Sequence, residues 1–232
     1  MAQYRNVKLT VIGCSPAWPN PGSAHSGYLL ETDGRRLLLD CGPGVLARLR
    51  EREPWPAVDA IAISHLHLDH VADLVGWLWG AVMGPGRGAP KPALWLPAGG
   101  REGLAPLGGD LRDAFEVHEY ADREPFEAAG FTVTAYPTRH AALPHGLRVV
   151  DGARTLAYSG DSGPHPVLAE LARDADLFLC EATQAEGEEV DLHLTASQAA
   201  AVGAGRLLLT HRPAELPPEG CEVAYDGLEL EV

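Results

Sequence analysis

His65-Leu66-His67-Leu68-Asp69-His70 is the stretch that decides how this chain folds. Four side chains able to ligate a metal ion stand within six residues, between the apolar runs 60–64 and 71–82. That order reads as strand, loop, helix. Residues two apart on an extended chain point the same way, so His65 and His67 can grip one ion from a strand end. Asp69 and His70, where the chain turns into the helix, can face a second ion. A polar loop that merely caps the following helix needs neither three imidazoles nor this density.

The rest of the chain supplies what the loop lacks. Catalytic zinc takes histidine nitrogen and carboxylate oxygen and keeps one position open for water. His140 follows the strand-like stretch 131–136 in Tyr-Pro-Thr-Arg-His. Asp161 follows 155–159 in Ser-Gly-Asp-Ser-Gly, where glycine lets backbone approach closely. His211 ends the apolar run 206–210. Each is a polar residue at the end of an apolar strand, where a rigid sheet holds functional loops in place.

The spacing HxHxDH, followed by His140, Asp161 and His211, resembles the metallo-β-lactamase fold superfamily of binuclear metallohydrolases. The likeness runs from the opening strand and Gly-Cys-Ser turn, residues 8–15, to the Asp226-Gly227 turn and the last strand. It implies an α+β fold, an αββα four-layer sandwich in which two mixed sheets pack face to face with helices on both outer faces. It also implies two divalent metal ions. His65, His67 and His140 would hold the first, Asp69, His70 and His211 the second, and Asp161 would bridge them. A water or hydroxide between the ions would be the nucleophile. Zinc is the expected metal, with manganese or iron as alternatives that such ligands also accept.

A pass along the chain agrees with that architecture. Strands are predicted near 7–12, 26–31, 36–40, 60–64, 93–96, 115–120, 131–136, 147–150, 155–159, 177–181, 206–210 and 228–231. Helices are predicted near 45–51, 71–83, 165–172 and 196–202. Strands form meanders with helices interspersed, and neither a repeat nor a linker divides residues 1–232, which read as a single hydrolase domain. Residues 83–92 are the richest in glycine and proline and predict a surface loop bordering the site, or a substrate flap.

Composition fits a cytoplasmic enzyme with a substantial core, at 46% hydrophobic and 22% charged residues. No apolar run reaches membrane-spanning length, and the first residues lack an apolar signal core. Cys14, Cys41, Cys180 and Cys221 are far apart and read as reduced, mostly buried thiols. A net charge of −14, from 18 basic and 32 acidic residues, disfavours stable nucleic-acid binding. Residues 186–191 read as a solvated acidic surface.

Two further segments separate branches of the superfamily. Glu181-Ala182-Thr183 and His193-Leu194-Thr195-Ala196 resemble the signature of the tRNA 3′-processing endonuclease branch, ribonuclease Z, and its phosphodiesterase relatives. The resemblance gives Glu181, His193 and Asp69 roles in proton transfer. Independently, Thr195 and Gln198 have capping-box spacing, so a helix should start there with free amides facing back toward His193, where a phosphate oxygen could sit. The ribonuclease Z branch, however, carries a long Gly/Pro-rich arm between its third ligand histidine and the bridging aspartate. Here 20 residues separate His140 from Asp161, and only Arg148 and Arg154 among them are basic. The expected substrate is therefore a small-molecule phosphodiester: a cyclic nucleotide, short oligonucleotide or nucleotide-like metabolite. Alternatives are a thioester, lactone or sulfate-ester hydrolase, tRNA processing itself, and a non-catalytic metal carrier. Relatives are often dimers, so a homodimer is a further expectation.

Among the remaining histidines, His25 could line the pocket and His145 could contact substrate or sit exposed, while His118 and His165 read as structural or solvated. Trp77 and Trp79, two apart on one helix, cannot share a face, so at least one packs in the core.

Overall fold

In a computed structural model that describes residues 7–152, 154–188 and 191–232, the strands form two seven-stranded sheets. The first holds β1 (Lys8–Gly13), β2 (Gly27–Thr32), β3 (Arg35–Leu39), β4 (Ala60–Ala62), β5 (Ala93–Pro97) and β6 (Glu116–Tyr120). The second runs from β7 (Pro125–Ala128) through β8 (Phe131–Pro137), β9 (His145–Asp151), β10 (Arg154–Tyr158), β11 (Leu177–Glu181) and β12 (Leu207–Thr210) to β13 (Glu222–Val223). The last strand, β14 (Glu229–Glu231), returns to the first sheet and pairs with β1. Both sheets are mixed, antiparallel over one half and parallel over the other.

Burial follows the pleat. Leu37 and Leu39 turn inward to a core shared with Phe131, Val133, Leu147 and Leu156 of the opposite sheet. Leu38, between them, turns outward and packs with Val45 and Leu49 of α1 (Val45–Arg52) and Leu74 and Trp77 on the helical segment after the HxHxDH loop. Strands covered on both faces are apolar throughout and do not alternate, which is why Leu-Leu-Leu is a strand here. The outer face of the second sheet, Phe178, Cys180 and Leu209, is covered by Leu168 and Leu171 and by Ala196 and Ala199. Four layers result, αββα.

The helix expected over 71–83 comes as two pieces, α2 (Leu68–Val71) and α3 (Asp73–Met83), so Asp69 and His70 are themselves helical. Trp77 is 1% exposed and Trp79 45%, so the two rings do lie on different faces. The short α4 (Gly100–Leu104) was not expected. The later helices are α5 (Val167–Leu171) and α6 (Ala196–Ala201), and α6 opens with the capping box expected at Thr195 and Gln198. Two strands were also missed. Proline cannot donate to a ladder, so Pro125-Phe126-Glu127-Ala128 reads as a turn; it is tolerated because β7 is the edge of its sheet. β13 is only two residues long. The 83–92 loop is folded against Trp55, where a side chain on Gly86 would collide with the indole. Among the described residues no helix is long and apolar enough to cross a membrane.

Strand direction gathers the polar ends. β3 and β4 are parallel, and so are β10, β11 and β12. β8 runs with β10 because both are antiparallel to β9. The residues that follow β4, β8, β10 and β12 therefore meet at one edge of the sandwich.

Candidate metal centre

All seven residues singled out as ligands are brought together at that edge. His65, His67, His140 and Asp161 form one group, and Asp69, His70, Asp161 and His211 a second, with the ligand atoms of each group within 4.8 Å of one another. In the first, His65 Nε2 lies 3.2 Å from His67 Nδ1, and His140 Nε2 lies 3.1 Å from the same atom. In the second, His70 Nε2 is 3.4 Å from His211 Nε2, and Asp69 Oδ2 is 3.0 Å from His211 Nε2. Two ligands about 2.0–2.1 Å from a tetrahedral ion are themselves about 3.3 Å apart, so these spacings suit a metal.

Asp161 stands between the groups. Its Oδ2 is 3.6 Å from His65 Nε2 and 3.5 Å from His140 Nε2, while Oδ1 is 3.3 Å from His70 Nε2. The residue is 2% exposed, and among the described residues Oδ1 has no hydrogen-bond partner. A buried carboxylate oxygen left unpaired is costly, and a cation is what would satisfy it.

The imidazoles are oriented from behind. Asp40, which is fully buried, accepts from His70 Nδ1 at 2.7 Å, from Tyr158 OH at 2.7 Å, and from the Ser64 amide and hydroxyl at 2.7 and 2.8 Å. With its hydrogen given to Asp40, the Ser64 hydroxyl accepts from His65 Nδ1 at 3.1 Å. Leu192 O accepts from His140 Nδ1 at 2.9 Å. Thr183 Oγ1 donates to His211 O and so accepts from His211 Nδ1 at 2.9 Å. Four Nδ1 atoms are thus engaged outward, which turns four Nε2 atoms inward toward one another. Such outer partners fix the tautomer and raise ligand basicity. The donor set fits divalent ions on this observation.

Electrostatics agree. Burial pushes the Asp161 and Asp69 carboxyls up, but the surrounding imidazoles more than reverse this and hold both well below the usual carboxylate range. Burial pulls His65 and His140 below the ordinary histidine value, toward the neutral form a ligand needs. At His70 burial also works downward, yet Asp161 and Asp40 outweigh it and favour positive charge there. That charge is a proton, or an ion in its place.

Four of the nine described non-glycine residues at positive φ lie here. Asp40 (φ 60°), Ala142 (φ 60°), Leu143 (φ 61°) and His211 (φ 48°) all take left-handed conformations without being glycine. Each costs about 1–3 kcal/mol, and such outliers cluster at functional sites. Gly160 is glycine by necessity, since a Cβ there would come within 2.5 Å of His145 O.

Glu181 and His193 meet as expected. Glu181, fully buried, accepts from the amides of Ser162, Thr183 and Leu194 and from His193 Nδ1 at 2.8 Å. His193, its side chain 21% exposed, packs beside two of the candidate ligands, with ring centroids 4.8 Å from His140 and 6.0 Å from His211. Burial pulls its pKa down, but the Glu181 hydrogen bond and charge leave it raised.

Of the remaining expectations some are corrected and others hold. The start of α6 is not a free anion site: the Gln198 amide bonds Thr195 Oγ1 and the Ser197 amide bonds Glu186 Oε1. Glu186 thus does more than solvate the surface, and Asp191 pairs with Arg139; residues 189 and 190 lie outside the described set. His145 does not reach out to substrate, because it is buried with Nδ1 on Leu143 O and Nε2 on Asp122. His25 is buried against Pro16 O, and burial lowers its pKa. His118 is exposed and stacks on Trp95, and His165 is an exposed residue whose ring accepts from the Val167 amide. Cys14, Cys41 and Cys180 are buried free thiols, and Cys221 is partly buried.

Comparison with known proteins places the chain. Residues 35–212 match the family described as the beta-lactamase superfamily domain. An uncharacterized protein of Mycobacterium tuberculosis, Rv1339, is 40% identical over 90% of this chain and 81% of its own. The probable metallo-hydrolase YhfI of Bacillus subtilis is 32% identical over 89% of this chain and 87% of its own. Ribonuclease Z of Mycobacterium marinum is 29% identical over 88% and 86% respectively. The crystal structure of YhfI superposes with a TM-score of 0.88 at 26% identity, covering 98% of this chain and all of the other. A diphosphatase of the PhnP family shares the fold, with a TM-score of 0.77 at 23% identity over 97% and 98% of the two chains. The chain belongs to the beta-lactamase superfamily and is a metallo-hydrolase of that fold.

Proposed function

We propose that the protein is a phosphodiesterase acting on a small phosphodiester, such as a cyclic nucleotide, short oligonucleotide or nucleotide-like metabolite, with two divalent ions. His65, His67 and His140 would hold one ion, Asp69, His70 and His211 the other, with Asp161 available to both. Nitrogen and carboxylate donors at this spacing suit zinc. When bound, the ions supply Lewis acidity toward a phosphoryl oxygen and make a water nucleophilic at neutral pH.

The observation that carries the reading is the His193–Glu181 pair beside both ligand groups. With Nδ1 held by Glu181, His193 presents Nε2 toward the site. An alkoxide leaves badly unless a proton arrives as its bond breaks, and His193 Nε2 delivers that proton. Glu181 keeps the imidazole oriented and favours its charged form. Asp69, kept ionised by the imidazoles around it, accepts a hydrogen bond from a water in the site and orients it. The segment between His140 and Asp161 supports a small substrate, because it is taken up by β9 and β10 pairing within the sheet and extends no arm.

A panel assay on metal-loaded protein tests this: bis(p-nitrophenyl) phosphate, a cyclic nucleotide, a thioester, a lactone and pre-tRNA. Phosphodiesters are expected to turn over and pre-tRNA poorly. Thioester or lactone hydrolysis with no phosphodiesterase activity would overturn the proposal, as would efficient pre-tRNA cleavage at physiological salt.

A further inference from the structure

Arg212, the residue directly after the ligand His211, is 6% exposed. Its Nη1 donates to Ala182 O at 2.8 Å, its Nη2 to Pro217 O, and its Nε has no acceptor. Among the described residues no carboxylate forms an ion pair with it. Buried charges are ordinarily paired, because backbone carbonyls alone leave the charge uncompensated.

The same side chain lines an open cleft of about 430 Å³, with Asn20, Ser23, Leu216, Tyr225 and Asp226 among the other walls. That volume lies in the range of small-molecule sites, roughly 300–1,000 Å³. Nothing in the walls is left to balance the guanidinium. Asp226 already accepts from Ser23, Cys14 and the Ala24 amide and pairs with Arg48 at 3.1 Å. The Cys14 thiol, pushed up to about 12 by burial, stays neutral. Asn20 spends its amide on Arg212 O and Ala214 N.

We propose that this cleft is an oxyanion site in which Arg212 receives a phosphate or carboxylate group, one residue along the chain from the metal centre. Each Nη nitrogen that holds a carbonyl keeps a second N–H, and charge-assisted N–H bonds suit such groups. The group is either a second anionic part of the substrate or a separate small anion. The site itself does not depend on the phosphodiesterase reading.

Inorganic phosphate is the probe, and its saturable effect on the thermal midpoint is the readout, at constant ionic strength. Wild type should respond, and so should Asp161→Ala, in which phosphate can no longer be held by an intact metal centre. Arg212→Met should weaken the apparent Kd at least about tenfold, the loss of one charge-assisted contact. Because Arg212 also ties two carbonyls, that variant can fail to fold. Ala214→Trp then decides: it fills the cleft from an exposed wall position, leaves those carbonyl bonds intact, and should abolish the response. No saturable response in wild type, or an undiminished one in folded Arg212→Met or Ala214→Trp, would overturn the proposal. Competition between phosphate and substrate would assign the anion to the substrate, and non-competitive behaviour would assign it to a separate small molecule.

Discussion

The two ligand groups share Asp161 but are built differently. The first is three imidazoles and the shared carboxylate, with His67 partly exposed and the His140 side chain 4% exposed; the second is two imidazoles and two carboxylates, all buried. The second carries one more negative charge and is braced directly by Asp40 and Thr183. The first is braced through Ser64 and a single backbone carbonyl, Leu192 O. Burial with fixed outer partners favours holding an ion, whereas exposure favours exchange with substrate and solvent. The contrast therefore predicts a tighter, pre-organised second position and a more open first one.

The largest expected effect falls where the contrast disappears. Asp161→Ala removes the ligand common to both groups, so bound metal should fall from about two per chain by more than one, and turnover should be lost. Elemental analysis after gentle purification measures this; retention of two ions with activity would show that Asp161 bridges nothing.

His193→Ala separates chemistry from metal binding. Alkyl phosphodiesters should slow by about 10²–10⁴-fold, the contribution of a positioned general acid. A p-nitrophenyl ester, whose leaving group departs without a proton, should lose much less, and both ions should remain. Equal losses on the two substrates would make His193 a phosphate-positioning residue.

Asp40→Asn should weaken metal affinity at the second position by about 10–100-fold, as loss of an outer-shell partner does, and the first position less, since Asp40 reaches it only through Ser64. Stepwise metal titration reads both affinities, and equal weakening would refute the asymmetry.

The smallest effect is in pH dependence. An ion entering the second group displaces the proton that Asp161 and Asp40 favour on His70, so its apparent affinity should keep rising with pH above the ordinary histidine range. Burial keeps His65 and His140 neutral, so the first group should level off at lower pH. Parallel profiles for the two positions would remove this distinction.

Much of the centre was legible because its ligands obey one local rule, a polar residue closing an apolar strand. Asp40 obeys it too, after Leu37-Leu38-Leu39, yet nothing in the sequence distinguishes a carboxylate that would hold an ion from one that holds a histidine. Thr183 and Tyr158 were invisible as positioning residues for the same reason: their partners, His211 and Asp40, lie 28 and 118 residues away. The capping box at Thr195 was readable from four consecutive residues. That Glu186 takes the next amide was not, because it depends on how the preceding loop folds back.

Strand-end chemistry by itself marked the seven candidate ligands, because side-chain direction along a strand and the donor type a metal accepts are local properties; the four-layer sandwich and the Glu181–His193 pair followed from the resemblance of the sequence motifs to a known family. Tertiary structure alone decided which nitrogens converge, which amides remain free, that His145 is spent on Asp122, and that Arg212 is buried with no ion-paired acid among the described residues. Those outcomes depend on burial and on partners distant in sequence, and a charge's cost or a ligand's basicity is set by what surrounds it once the chain has folded.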